Sequence, residues 1–192
     1  MVEKPEIKER FYTVRIEGTA PLLMHSPAGL GGEKKARGVT PSPEEEAELG
    51  LYTDGNGKIV VPARCIEGAI VKSGSAKTAP GQGKKTYKQF ILAGVQVLPE
   101  EVPLTYEGKY TIDKRRAVIM RQGIIRCRPR FDKWALEFDI RVIDAYLLGN
   151  GQDTQLKHVF EDAGSLIGLL DFRPRFGRFE VTKFEEKESK KK

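Results

Sequence analysis

Residues 54–69 read DGNGKIVVPARCIEGA, and the fold turns on this stretch. Asp54-Gly55-Asn56-Gly57 supplies the positive φ angles that a tight turn needs, and it lies between the apolar pieces Leu51-Tyr52-Thr53 and Lys58-Ile59-Val60-Val61. That pattern predicts a hairpin. Pro62 then opens a helix running to about Ser73, in which Ile66, Ala69 and Ile70 form an apolar face at helical spacing.

Upstream, Tyr12, Val14 and Ile16 alternate with Thr13, Arg15 and Glu17, the period of a half-buried strand. A long loop rich in Gly, Pro and Lys fills 25–43, and Ser42-Pro43-Glu44-Glu45-Glu46 starts a short helix. Downstream, a basic loop (Gly74 to Lys85) precedes an apolar run, Phe90 to Leu98, read as a strand. Residues 100–131 hold short strand-like pieces with basic teeth. The clearest strand follows, with Trp134, Leu136, Phe138, Ile140 and Val142 on one face. After a turn at 150–153, Leu156, Val159, Phe160, Ala163, Leu166 and Ile167 mark the inward stripe of a second helix. A last strand is expected over Phe176 to Phe184. Without the hairpin and the basic insert, the order is βαββαβ. The expected fold is therefore α+β and ferredoxin-like: an antiparallel sheet, two helices and an inserted β-rich basic segment. One domain spans 11–184 with its insert at 100–131, and 1–10 and 185–192 are expected to be flexible termini.

The chain has 192 residues, 31% charged and 39% apolar, the profile of a globular protein. No apolar run approaches the roughly 18 residues of a membrane helix. The start, MVEKPEIKER, has no apolar signal core, so a cytoplasmic location is expected. Cys65 and Cys127 lie far apart without CxxC spacing, and neither a metal nor a cofactor is expected. The net charge of +6 is unevenly spread. Between Thr105 and Arg130, eight cations face two acids, a surplus equal to that of the whole chain. Such a band is the footprint of a phosphate-backbone binder, or else a solvated face balanced by acids in space.

Arg126, Arg128 and Arg130 alternate along an extended segment and so share one face, a comb suited to phosphates on a single strand. Arg115, Arg116 and Arg121 add to it. Arg173, Arg175 and Arg178 are interleaved with Phe172, Phe176 and Phe179, so that cations could clamp phosphates while rings stack on bases. The alternative is a tight turn with core Phe residues and carboxylate-paired Arg residues. Lys34, Lys35 and Arg37 in the first loop, and Lys84 and Lys85 in the second, suit ordering on nucleic acid or serve as plain surface linkers.

The passage from Asp54 to Gly68 resembles the RAMP superfamily, the backbone subunits of CRISPR complexes, whose members carry a D-x-x-G-x-P-x-I-P-x-S-S-L-K-G passage. Asp54, Gly57, Pro62, Ile66 and Gly68 fit it, while Arg64-Cys65-Ile66-Glu67 stands where Ser-Ser-Leu-Lys is usual. Leu169 to Glu180 is similar to the Gly- and Arg-rich turn before the last RAMP strand, with one glycine, Gly177, where several are usual. A relative carried by a phage or mobile element would look the same. The resemblance implies binding to single-stranded RNA or DNA, assembly with copies of itself or in a larger ribonucleoprotein, and a thumb-like insert at 100–131 lying over the strand. The lack of a long apolar run argues against a membrane partner.

Catalysis has little support. Some RAMP relatives are metal-independent endoribonucleases with a His acid or base, for which His25 is the candidate; His158 reads as structural. Others cut with an Asp in the loop after the first strand, and here 25–43 holds only Glu33. The preferred expectation is a non-catalytic strand-binding backbone protein. A nuclease using His25 and a structural or adaptor protein of a phage-like element are the alternatives.

Overall fold

The computed structural model describes residues 9–27, 41–119, 122–143 and 155–187. Its centre is strand β8 (Trp134–Val142), paired antiparallel with β1 (Arg10–Gly18) on one side. β1 in turn pairs with β9 (Phe179–Glu186). On its other side β8 meets two short strands laid end to end: β4 (Val95–Leu98) against its C-terminal half and β5 (Glu101–Tyr106) against its start. β3 (Val60–Pro62) extends the sheet beyond β5. With β4 and β5 counted as one broken strand, the core order is fourth, first, third, second. That is the ferredoxin-like arrangement.

Alternation sets the core. Tyr12, Val14 and Ile16 of β1 and Leu136, Phe138, Ile140 and Val142 of β8 are buried on one face. Against them pack Ile66, Ala69 and Ile70 of α2 (Ala63–Gly74) and Leu156, Val159 and Phe160 of α4 (Gln155–Asp162). The opposite face is polar and internally paired: Thr13 Oγ1 donates to Asp139 (3.0 Å), and Arg15 meets Glu17 (2.9 Å) and Glu137 (3.6 Å). A bulge in β9, where Arg15 opposes Lys183 but Ile16 opposes Val181, brings Phe184 back onto the core face. Its ring lies 5.1 Å from that of Tyr12.

The hairpin forms as its sequence predicts. Asp54 Oδ1 accepts from the backbone N–H groups of Asn56 (2.9 Å) and Lys58 (2.8 Å), and Gly57 takes φ 79°. α1 (Pro43–Leu49) carries a full capping box between Ser42 and Glu45.

Three expectations are corrected. The run Phe90 to Leu98 is not one strand. It is the end of helix α3 (Tyr87–Gly94) followed by β4, because Tyr87 and Ile91, four apart, bury against α2. Gly74 makes room there, since a Cβ on it would come 2.5 Å from Ile91 Cδ1. Leu166 is not inward but 65% exposed. α4 widens into a π-helical turn over Ala163–Ile167, which shifts the phase of the stripe. The last strand begins at Phe179, because 171–178 is a turn in which Gly177 adopts φ 71°.

A second sheet holds the insert. β6 (Thr111–Ile119) and β7 (Gln122–Phe131) form a long hairpin, and β2 (Leu22–Leu23) pairs with the base of β7. The hairpin proper therefore starts at Thr111, whereas Glu101–Tyr106 belongs to the main sheet. At the expected flexible ends, Arg10 lies in β1 and Glu185 and Glu186 lie in β9. The backbone N–H of Lys187 donates to Phe11 O (2.7 Å). Residues 1–8 and 188–192 fall outside the described residues.

Candidate nucleic-acid interface

Helix α2 leaves β3 directly, and Ala63 N donates to Glu100 O (2.7 Å), which fixes the helix start. On its outer surface Arg64, Gly68 and Lys72 stand at i, i+4 and i+8, one line along a helix face. Opposite them the loop after α4 brings Leu170, Asp171 and Arg173. His25, from the segment after β2, and Tyr52, from the 51–61 hairpin, close one end. Together with Cys65 they line a cleft of about 460 Å³. Arg64, Lys72 and Arg173 are exposed, and among the described residues none of the three has a carboxylate partner. A Cβ on Gly68 would meet nothing within 4 Å, so the middle of this cationic line is open floor. Tyr52 Oη donates to the His25 carbonyl (3.3 Å). Burial pushes the Tyr52 phenol up, and the neighbouring Cys65 adds to this while Arg64 opposes it. Burial likewise raises the Cys65 thiol, against the pull of Arg64 and Arg173.

The arginine comb is placed otherwise than its spacing suggests. In the β6–β7 register Asp113 opposes Arg128 and Arg115 opposes Arg126, so these four share a face. That face is not an open track. Arg115 grips Asp113 with two bonds (2.6 and 3.0 Å) and stacks on Phe176 (4.7 Å) and Phe172 (5.5 Å). Arg126 Nη1 donates to Glu46 Oε1 (3.0 Å), while Glu46 Oε2 accepts from the backbone N–H of Cys127 (3.2 Å). Arg128 is in ion contact with Asp171 and lies over Phe172 (5.8 Å). Arg130 turns to Asp132 (2.8 Å). Two arginines directly opposite each other repel, and Asp113 and Glu46 relieve this. The hairpin and the final turn do meet, through Arg115 and Arg128, but all four of these cations have carboxylate partners. The period-2 pattern could give the common face and not the acids supplied by distant parts of the chain.

The remaining candidates are dispersed. Arg116 is on the other hairpin face, its guanidinium lying across Gly123, where a Cβ would come 2.7 Å from Nε. Arg175 and Arg178 are exposed in the final turn, and Arg178 Nε braces that turn by donating to Pro174 O (2.8 Å). Lys84 and Lys85 are exposed on the 75–86 loop and do not line the cleft. Lys34, Lys35, Arg37 and Arg121 lie outside the described residues. His158 Nδ1 is 3.2 Å from Glu161 on α4. Among the described residues no group of three or more His, Cys, Asp or Glu is placed to hold a metal, and no helix is long and apolar enough to cross a membrane. Of the cleft's cations, Arg64 and Lys72 were missed by a reading that weighed local charge density. Their four-residue periodicity on the polar side of a predicted helix was the available signal.

An antiparallel sheet in this order, with two helices on one face and a hairpin inserted before the third core strand, defines an α+β protein of ferredoxin-like fold. Among solved structures, a chain from the cryo-EM structure of the Type III-B Cmr-beta bound to cognate target RNA is similar, with a TM-score of 0.56 at 12% identity. The match covers 93% of this chain and 61% of that one, so the present chain spans about three-fifths of its neighbour's length. No family model matches the sequence, and no curated protein does.

Proposed function

We propose that this chain is a RAMP-type backbone protein that holds single-stranded RNA, without cutting it, in the cleft between α2 and the loop after α4. The observation that carries this reading is the convergence on one open groove of Arg64, Lys72 and Arg173, three cations without carboxylate partners among the described residues. Guanidinium groups clamp phosphates with paired N–H donors, and lysine adds a point charge. Gly68 lets the strand approach the helix surface, and Tyr52 and His25 offer rings at the end of the groove. In this reading the hairpin acts through Arg116, while the paired arginines at its base hold it against the cleft wall. The neighbour's presence in an assembly bound to cognate target RNA supports the choice of ligand and a place within a larger ribonucleoprotein.

The test is fluorescence anisotropy with a labelled single-stranded RNA across a salt series. Three phosphate contacts give a log–log slope of about −2, at roughly 0.7 per contact. Arg64→Ala with Arg173→Ala should lower affinity at least about tenfold and flatten the slope. Tight binding that ignores both salt and these substitutions would remove the cleft from consideration.

A further inference from the structure

Among the described residues the cationic cleft is lined by one carboxylate, and its two oxygens have different surroundings. Asp171 Oδ2 is occluded and in ion contact with Arg128. The Asp171 side chain is nonetheless 31% exposed. That exposure therefore belongs to the rest of the group, Oδ1 and the methylene, and Asp171 lines the cleft. Among the described residues no donor reaches Oδ1. A bare carboxylate would repel a polyanion, but the guanidinium behind it cancels much of its charge. What is left facing the groove is a strong hydrogen-bond acceptor.

A phosphate cannot use that acceptor, because its oxygens only accept. The backbone donor present at every nucleotide of RNA and at none of DNA is the ribose 2′-hydroxyl. We infer that Asp171 Oδ1 accepts the 2′-hydroxyl of a ribose seated beside Arg173, which makes Asp171 the residue that selects RNA over DNA. This rests on the cleft being the strand site proposed above. Tyr52 fits the assignment: its hydroxyl hydrogen is committed to the His25 carbonyl, so it does not compete for Oδ1.

The experiment compares a single-stranded RNA with DNA of the same sequence carrying uracil, on the full chain. The expected preference for RNA is at least about tenfold, the scale of one hydrogen bond to a charged group. In Asp171→Asn the buried guanidinium, which has only donors, must take the amide oxygen, leaving the amide N–H₂ toward the groove, where it offers the 2′ oxygen only a weaker neutral bond in place of the charged one. The preference should then fall to within about threefold, with DNA affinity unchanged or improved. A scan of single 2′-deoxy positions in the RNA needs no variant, and most of the loss should fall at one or two positions. Equal affinity of the wild type for RNA and DNA would overturn the inference while leaving the cleft reading intact. So would an Asn variant with undiminished preference, or one that loses RNA and DNA in parallel. Binding to neither polymer would take down the cleft reading itself, and this inference with it.

Discussion

Arg128 and Asp171 are 43 residues apart in sequence, and they join the inserted hairpin to the wall of the cleft through an ion contact whose arginine is nearly buried and whose carboxylate is partly exposed. Arg128 has an exposure of only 8%, and its guanidinium lies over Phe172, the residue after its partner. The hairpin and the final turn are thus one unit. Half of the basic band that stands out in the sequence, Arg115, Arg126, Arg128 and Arg130, is taken up by carboxylates, and Arg115 and Arg128 among them build that unit.

Truncating this arginine should be costly. Arg128→Ala leaves Asp171 Oδ2 occluded without its cation and removes the cover from Phe172. A loss of about 2–3 kcal/mol is expected, below the range for fully buried pairs because Asp171 is partly exposed. Arg128→Lys should recover less than half, since a lysine cannot present a planar face to the ring. Urea unfolding midpoints measure both.

Gly68 separates folding from binding. It lies inside a helix with open space where a side chain would go. Gly68→Ala should stabilise the protein by about 0.5–1 kcal/mol through helix propensity. Gly68→Glu should keep most of that gain yet weaken RNA binding at least about tenfold, by filling the groove with a like charge. Thermal melting and anisotropy on the same two variants decide this.

Glu46 guards the open edge of β7. Its carboxylate accepts from the Cys127 N–H as well as from Arg126, so Glu46→Ala takes away the acceptor of that edge donor. The Cys127 amide should exchange with solvent deuterium at least about tenfold faster, at a stability cost of about 1 kcal/mol. Exchange measured by mass spectrometry at peptide resolution covers residues 122–131.

Cys65 reports on cleft occupancy. Burial raises its thiol pKa, so the neutral thiol prevails at pH 7 and the reactive thiolate becomes abundant only above the ordinary thiol range. Alkylation should therefore be slow at neutral pH and still be accelerating at pH 9 and above. Bound RNA should protect Cys65 at every pH. Cys127 is also raised by burial, with Glu46 adding to it, and it should be slower than Cys65 because it is only 5% exposed. Peptide mapping after iodoacetamide treatment separates the two.

Much of the architecture was legible because it rests on local rules. The Asp54–Gly57 turn, the capped start of α1 and the alternation of Trp134 to Val142 each state their conformation within a few residues. The errors occurred where tertiary packing outweighs a short pattern. An apolar run such as Phe90 to Leu98 suits a strand or a buried helix, and α2 made the choice at Tyr87 and Ile91. The phase of α4 was lost at a π-helical turn that no periodicity announces. The site was harder still. Local density pointed to Arg115, Arg126, Arg128 and Arg130, but their acids come from as far away as Glu46 and Asp171. Arg64 and Lys72 are each isolated in sequence, and only the helix aligns them.

The most direct test of the cleft is ultraviolet crosslinking of bound RNA to the wild-type protein, followed by mapping of the modified peptides. Crosslinks concentrated at Tyr52, in 64–72 and in 171–175 are predicted, with a minor set on the distal hairpin near Arg116. Crosslinks confined to the polar sheet face of Arg15, Glu137 and Arg141, or to the loop carrying Lys84 and Lys85, would contradict it.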